Sequence, residues 1–245
     1  PGRFATTYAL FGDDRYERTR ASVGAEWDRW GPLGPVRLLA WRQDSRTEQL
    51  SEQFRLPDRA TRFESLRERR FVFSQESTGL ELNAQWRGEW LGVEHWQVFG
   101  LDLARHDYVG FRDGLETNLA TGASSNVILG EVLPLRDFPN TRADELGLFW
   151  QDEIRFGEGW ALVPGLRWER YRLDARPDPL WREDNPGLDP VSLENEQLTP
   201  KLGLRWNRGA LGLYAQYARG FRAPPFSDVN IGLNLPTFNY VALPN

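Results

Sequence analysis

The stretch Leu198-Thr-Pro-Lys-Leu-Gly-Leu-Arg-Trp206 places an apolar side chain or a proline at every even position, with polar or small side chains between them. Strict alternation of this kind predicts a β-strand with one apolar face. Seven further segments show the same split, so the sequence predicts eight strands and no convincing helix. The other seven are residues 21–27, a weaker strand from Val36, and residues 80–86, 99–103, 146–156, 162–168 and 211–217.

The connections between these strands alternate between short and long. Short ones are predicted at residues 31–35, 88–93, 157–159 and 207–209, and long ones at roughly 51–68, 106–144 and 174–197. Outer-membrane barrels show this asymmetry because their tight turns lie on the periplasmic side and their long loops lie outside. Six tryptophans flank the short turns, as an aromatic girdle at one membrane interface would: Trp30, Trp86, Trp90, Trp96, Trp160 and Trp206. The sequence therefore predicts an all-β fold, a transmembrane antiparallel β-barrel. The alternative is a soluble β protein whose core these rings fill.

The composition of the 245 residues excludes several functional classes. No run of eighteen apolar residues exists, so the sequence predicts no membrane-spanning helix. A net charge of −5 argues against nucleic acid as the main partner, because a protein that binds a polyanion needs a basic surface. With no cysteine and only His95 and His106 as imidazoles, a thiolate nucleophile and a histidine-rich metal centre are both excluded.

Charged residues on the face opposite the apolar one are expected to line the lumen of the barrel. They are Glu153, Arg155, Arg167, Glu169, Lys201 and Arg205. Pairs of such charges at several strands are better explained as groups that hold water than as acid–base machinery. Eight strands with a polar interior and loops of this length suit a wide, occupied lumen, so we expect the chain to be a contiguous part of a larger barrel.

Four ordered motifs resemble a known family. They are Leu146-Gly-Leu-Phe-Trp-Gln-Asp-Glu-Ile154, Pro164-Gly-Leu-Arg-Trp168, the opening stretch at 198–206, and Tyr214-Ala-Gln-Tyr-Ala-Arg-Gly-Phe-Arg-Ala-Pro224. Together they resemble TonB-dependent outer-membrane receptors, most closely the haem, haemoglobin and transferrin-type branch.

The resemblance implies a section, residues 1–245, of a barrel with about 22 strands in the outer membrane of a Gram-negative bacterium. It also implies an N-terminal plug domain and energy supplied by the TonB complex of the inner membrane. Neither the plug nor its TonB-contact motif is expected within these residues. The cargo is expected to be an iron-bearing ligand, with haem or a haem protein first and a ferric siderophore second. No catalysis and no intrinsic cofactor are expected.

The family's Phe-Arg-Ala-Pro box corresponds to Phe221, Arg222, Ala223 and Pro224, expected at the outer end of the last strand. Pro224 and its neighbouring proline lack an N–H donor, so they are predicted to end strand pairing and turn the chain into an external loop. Arg222 is a candidate bidentate donor to a carboxylate such as a haem propionate, or to a loop partner. The segment 226–245 contains none of the histidines that the haem branch usually carries after this box.

Three further residues are candidates for ligand binding. His106 is predicted where a strand leaves the outer face of the membrane, either as an iron or ligand contact or as a solvated loop-base residue. Phe238 and Tyr240, with Phe226, are aromatic residues that either stack on a flat ligand or pack against neighbouring loops. His95, beside a short turn, is expected to be structural.

Other interpretations stay open at this point. The acidic loop 174–197 is either a Ca²⁺ site, for which EF-hand spacing is absent, or simply solvated. An outer-membrane barrel enzyme would need His106 with Asp107, but adjacent strand residues point to opposite faces. A soluble adhesin is the third class.

Overall fold

The computed structural model describes residues 6–59, 61–226, 229–235 and 238–242, with side chains described as far as Asn230. The long strands are β1 (Thr7–Trp27), β2 (Val36–Arg55), β3 (Ser65–Trp90), β4 (Val93–Asn118), β8 (Asn140–Phe156), β9 (Trp160–Arg176), β10 (Leu193–Arg208) and β11 (Leu211–Ala218). The short strands are β5 (Ser124–Ser125), β6 (Val127–Ile128), β7 (Glu131–Val132), β12 (Ile231–Leu235) and β13 (Phe238–Ala242). One short helix, α1 (Pro179–Asp184), lies between β9 and β10.

The eight long strands form one antiparallel sheet in the order β1-β2-β3-β4-β8-β9-β10-β11, and β5 joins it on β4. The eight predicted strands and the all-β fold are therefore confirmed. Within the described residues, β1 and β11 each pair with a single neighbour, so the sheet is an open section of a barrel wall. A lipid bilayer cannot satisfy unpaired strand edges, so a sheet of this kind spans a membrane only as part of a closed wall. No helix in the described parts of the chain is long and apolar enough to cross a membrane.

One face of the sheet, which we call the outward face, carries an apolar belt. On β8 the belt runs from Leu146 to Phe156, and a tilted transmembrane strand needs about 9–11 residues to cross a bilayer. Across the middle of the belt the cross-strand partners are all apolar. They are Leu38, Leu82, Leu101, Leu148, Trp168 and Leu198. The other face, which we call inward, carries the predicted lumen charges.

Tight turns close the strands at one end of the belt. Leu91 and Gly92 both have positive φ, at 52° and 72°, so β3 and β4 are joined by a type I′ turn whose twist matches the flanking strands. Trp160 and Trp206 lie beside the next turns, with ring centroids 6.0 Å apart. Trp96 is a correction to the predicted girdle: it occupies an inward position, where its indole donates to Gln85 Oε1 (3.1 Å).

A small polar cluster interrupts the belt near the tight turns. His95, Gln97 and Asp152 share the outward face, and His95 Nδ1 lies 2.6 Å from Asp152 Oδ2. Both side chains are almost fully buried, so the surrounding belt shields their hydrogen bond from lipid. This placement agrees with the structural role expected for His95. Its partner Asp152, however, is a carboxylate at a position that the alternation pattern predicts to be apolar.

The strands continue well beyond the belt, which corrects the predicted loops. The three long connections span residues 56–64, 119–139 and 177–192, each shorter than predicted. The cause is a change of face. On β9 the apolar residues Leu166 and Trp168 point outward, whereas Tyr171 and Leu173 further along point inward and are buried. The alternation therefore inverts at this level, while the strand itself continues.

The buried core lies in this second part of the sheet, which we call the outer half, as distinct from the membrane half that carries the belt. One cluster contains Ala143, Tyr171, Leu173 and Val229. A second contains Ile128, Leu133 and Leu135 of the 119–139 loop, which packs against the inward face of β4 near Gly114. The long connections thus fold over the inward face and cover it.

Candidate functional site: the inward face of the outer half

The wall of the candidate site is formed by inward side chains of β4, β8 and β9. Antiparallel register places Ala104 opposite Glu145, and Gly147 opposite Glu169. Because partners in the register share a face, these residues and their inward neighbours form one continuous surface. The 221–226 segment lies over this surface as a roof.

His106 lies on this wall and not at the base of a loop. It sits inside β4, paired on one side with Ser77 and on the other with Ala143. Its Nδ1 is 2.8 Å from Ser77 Oγ, and its Nε2 is 3.9 Å from Glu145 Oε1. Its side chain is only 16% exposed, which corrects the prediction of a solvated residue.

The neighbour of His106 points to the opposite face, as strand geometry predicts. Asp107 accepts hydrogen bonds from Arg142 Nε (2.7 Å) and the Arg142 terminal nitrogen (3.0 Å) on the outward side. His106 and Asp107 therefore do not form a catalytic pair.

The Phe-Arg-Ala-Pro box does not enter an external loop. β11 ends at Ala218, and the following residues turn inward, so that Phe221 and Ala223 pack against the core cluster on β8 and β9. Tyr171 Oη donates to the carbonyl of Pro224 across 3.3 Å, which ties the box to the wall. The two prolines do end strand pairing, but burying apolar side chains determines where the chain goes. Arg222 is exposed.

An aromatic stack joins the roof to the wall. Phe226 lies 4.3 Å from Tyr108 with an interplanar angle of 11°, and 5.3 Å from Phe73. The His106 ring also stacks with Tyr108, at a centroid distance of 6.0 Å, and Phe138 lies nearly perpendicular to Phe226 at 5.5 Å. Of the two roles proposed for Phe226, packing against its own protein is the one that the structure displays.

Below the roof is a cavity of about 310 Å³ with charged walls. Arg167 donates to Asp102 Oδ2 (2.9 Å) and to Glu169 Oε1 (2.8 Å). Gly147 permits this arrangement, since a Cβ there would lie 2.6 Å from an Arg167 terminal nitrogen. With Glu145 on the same wall, the cavity offers hydrogen-bond acceptors and one paired guanidinium to a polar ligand.

The predicted lumen charges are inward and paired. Besides Arg167 with Glu169, Glu153 accepts from Arg155 (2.8 Å) and from Arg205 (3.0 Å). Lys201 donates to Gln151. These pairs are part-exposed, so they keep the wall polar without requiring buried charge.

The long connections close the top of the site. Arg112 contacts Glu131 and Asp137, both at 2.7 Å, on the 119–139 loop. Burial raises the pKa of the Asp137 carboxyl, an effect that Arg112 partly opposes. Arg136 Nε donates to Asp178 (2.8 Å), and Asp178 also caps α1. The Asp178 carboxylate therefore links the 119–139 loop to the acidic loop.

Two predicted ligand residues, Phe238 and Tyr240, lie in β13, which pairs with β12. Their side chains fall outside the described residues, so their predicted role stays a prediction. Sequence reasoning missed Glu145 and Tyr171 as site residues. The signal for both was strand parity, since Glu145 and Tyr171 continue the inward odd positions of β8 and β9. Among the described residues, no cluster of three or more His, Asp or Glu side chains is arranged to hold a metal ion.

Comparison with known proteins gives a family and a fold. The family model described as TonB dependent receptor-like, beta-barrel, matches residues 1–245. The chain is similar to a structure named Copper transporter OprC, with a TM-score of 0.61 and 15% identity over 91% of this chain and 33% of that one. It is also similar to BauA, the ferric preacinetobactin receptor from Acinetobacter baumannii, with a TM-score of 0.55 and 15% identity over 86% and 31% of the two chains. The chain thus spans about a third of each structure, and no curated protein matches it.

Proposed function

The chain belongs to the TonB-dependent receptor-like β-barrel family, and from that premise we propose that it forms part of the wall of an outer-membrane receptor that imports an iron-bearing ligand. Residues 1–245 would supply one contiguous section of the barrel. The plug domain would fill the lumen, and the TonB complex of the inner membrane would supply energy through it. The function is transport and not catalysis, in an outer membrane of a Gram-negative bacterium.

The observation that carries the ligand proposal is the His106–Tyr108–Phe226 stack on the inward wall. An imidazole beside flat aromatic faces suits a planar, apolar ligand that contains iron, which makes haem the first candidate. The Phe226 ring would move aside and leave Tyr108 as a stacking surface. Arg222, exposed on the roof, would then pair with a propionate.

A ferric siderophore is the second candidate. The charged cavity under Phe221 favours it, because Arg167 and the surrounding acceptors suit a polar chelate better than a porphyrin. BauA is a receptor for ferric preacinetobactin and OprC is a copper transporter. These names describe the ligands of BauA and OprC. A metal-bearing cargo for this chain is in keeping with both.

Haemin titration into the intact receptor in detergent tests the proposal. We expect a shifted Soret band that is lost in His106→Ala and retained in His95→Gln, since His95 is buried on the outward face. Binding that is equal in wild type and His106→Ala would remove His106 as the ligand. A flat Soret response, with saturable binding of a ferric chelate weakened by Arg167→Ala, would replace haem with the siderophore.

Transport itself is tested in cells. Growth on the bound ligand as the only iron source should need both the receptor and an intact TonB complex. Ligand uptake that continues without TonB would contradict the assignment as an energised receptor.

A further inference from the structure

Two arginines lie side by side on the inward face of β1. Leu38 of the apolar belt pairs with Ala25, so the odd residues of β1 face outward and its even residues face inward. Arg18 and Arg20 are therefore inward, and both are exposed. On the outward face of β1 the apolar residues end at Ala21, so the two arginines lie just beyond the belt, in the outer half of the sheet.

Two rows of cross-strand partners join these arginines to the candidate site. Both rows run from β1 through β2 and β3 to β4, which is about 14 Å at the usual strand spacing. They are Arg20, Gln43, Ser77 and His106 in one row, and Arg18, Ser45, Gln75 and Tyr108 in the other. All the residues between the ends of each row are polar and uncharged. The arginines and the His106 imidazole therefore border one polar floor on the inward face.

The protein holds both guanidinium groups in place without neutralising their charge. Arg18 donates from Nε (2.9 Å) and from a terminal nitrogen (2.5 Å) to Gln43 Oε1, an uncharged amide oxygen. The Arg20 guanidinium lies over the Trp41 ring, 5.0 Å from the ring centroid. Neither arginine forms an ion pair with a carboxylate in the described part of the chain.

Across the described strands, no carboxylate faces these arginines from a neighbouring position. The inward residues of β2 are its odd ones, and none of them is acidic. On β1 the nearest inward carboxylate is Asp14, four residues from Arg18 and so about 13 Å along the strand. On β3 it is Glu81, which already accepts from Trp41. An inward arginine such as Arg167, by contrast, has two carboxylate partners. The Arg18 and Arg20 pair is thus a local excess of positive charge.

The Trp41 indole is a fixed support for Arg20. The ring covers Gly79, where a Cβ would lie 2.4 Å from the nearest indole carbon, and its Nε1 donates to Glu81 Oε1 (3.1 Å). A cation over an indole face is attracted to it, so Arg20 is held before any ligand arrives. An arginine ordered in advance loses less conformational freedom when it binds an anion.

We propose that Arg18, Arg20 and Trp41 form a subsite for the carboxylates of an anionic ligand. Each guanidinium offers N–H donors in a planar fork that matches a carboxylate. The two residues are about 7 Å apart along the strand, so they suit a ligand with two or more carboxylates better than a single small anion. The inference rests on the proposed function and adds the charge of the cargo to it: the cargo carries free carboxylates, which bind here while the rest of it lies towards His106.

Fluorine NMR of the intact receptor in detergent, labelled with fluorotryptophan, tests the subsite with tricarballylate, a tricarboxylate, as the probe. The Trp41 resonance is identified by its loss in Trp41→Phe. We expect this resonance to shift saturably with tricarballylate and to stay in place with the neutral trimethyl ester. Arg18→Gln with Arg20→Gln should raise the dissociation constant about tenfold or more, as loss of hydrogen bonds between charged groups would.

Two further variants serve as controls. Arg18→Lys with Arg20→Lys keeps both charges and should retain part of the affinity. Arg15→Gln removes an arginine from the outward face of the same strand, where it pairs with Glu17, and should leave the dissociation constant unchanged.

Several outcomes would overturn the proposal. One is a Trp41 resonance that tricarballylate does not move, as would be found if a strand beyond β1 supplied a carboxylate to these arginines. Others are an equal shift with the trimethyl ester or with inorganic phosphate, and equal dissociation constants for the double Gln variant and Arg15→Gln. Haemin binding is measured separately by the Soret band. A receptor that binds tricarballylate at Trp41 but gives a flat Soret response supports the subsite and contradicts only haem as the cargo.

Discussion

The membrane half and the outer half of the same sheet are built with opposite polarity. In the membrane half, leucines such as Leu148 face outward and ion pairs such as Arg167 with Asp102 face inward. In the outer half, Arg142 with Asp107 faces outward, while Tyr171 and Leu173 are buried inward. The strands run through both halves without interruption, so the two arrangements share one backbone.

The difference shows that the surroundings of a strand, and not the strand itself, decide which face is apolar. Lipid surrounds the membrane half, so its apolar face is outward and its lumen is polar. Water surrounds the outer half, and the loops with the 221–226 segment supply an interior, so its apolar face is inward. The site proposed for cargo lies at the level where the polarity inverts.

The largest expected effect comes from a buried ion pair in the outer half. Glu116 accepts from Arg67 (2.9 Å) and Ser65 (2.7 Å), and the two charged side chains are 6% and 3% exposed. Glu116→Ala leaves Arg67 buried and uncompensated, which costs about 3–5 kcal/mol. The matched control is Asp102→Ala in the membrane half, whose pair with Arg167 is 37% exposed on each side and contributes at most about 1 kcal/mol.

Urea titration of the refolded receptor in lipid vesicles measures both free energies of unfolding. Equal losses for Glu116→Ala and Asp102→Ala would contradict the claim that the outer half has a true protein interior. Glu116→Gln, which keeps an acceptor for Ser65 but supplies no charge to Arg67, should recover only a small part of the loss.

The next largest effect is expected from a charge placed on the outward face, because its cost in stability should differ between the two halves. Leu148→Arg, in the middle of the belt, is expected to cost about 2–4 kcal/mol, as cationic residues do at the bilayer midplane of a barrel. Thr19→Arg, on the outward face of β1 opposite Asp44, should change stability by no more than about 0.5 kcal/mol. Similar losses at the two positions in the same titration would mean that the belt does not contact lipid.

The sequence predicts the membrane half well because one rule holds there almost throughout. Alternation locates all eight strands, places Glu153 and Arg205 in the lumen, and identifies the tight turns. Where the strands leave the membrane, the rule inverts. A strand such as β9, whose apolar residues move from even positions (Trp168) to odd ones (Tyr171), looks in sequence as if it ends.

Prediction of the site meets the same limit. The even–odd pattern ends near Leu103 and therefore predicts His106 at a loop base, although β4 continues to Asn118. The prolines after Phe221 predict an external loop because they end pairing, and the pattern cannot show that the chain then returns to the wall. Tyr108 and Ala143, which receive this segment, are distant from it in sequence, so their contact depends on the register of the whole sheet.

The aromatic stack between the 221–226 segment and the wall should have a smaller, measurable energy. In a double-mutant cycle, Tyr108→Leu and Phe226→Leu should couple by about 0.5–1.5 kcal/mol beyond their separate effects. Hydrogen exchange of the backbone amides between residues 219 and 226 reports the opening of the roof. It gives the free energy of opening for each variant of the cycle. Phe73→Leu with Leu198→Ala, on opposite faces, is the uncoupled control. Additive effects for Tyr108 and Phe226 would show that the segment rests on the wall without stacking.

The smallest expected effect lies at the other end of the membrane half, in the tight turn between β3 and β4. Leu91 is 81% exposed with a φ of 52°, a conformation that disfavours a Cβ-bearing residue other than Asn or Asp. Leu91→Asn keeps the type I′ turn with Gly92 and should stabilise the barrel by less than about 1 kcal/mol. Ala210→Asn, in the turn after β10, is the control: only its neighbour Gly209 has a positive φ, so no gain is expected. A gain at Leu91 alone would attribute the stabilisation to relief of its positive φ. Equal gains at both positions would instead point to a general effect of asparagine on refolding.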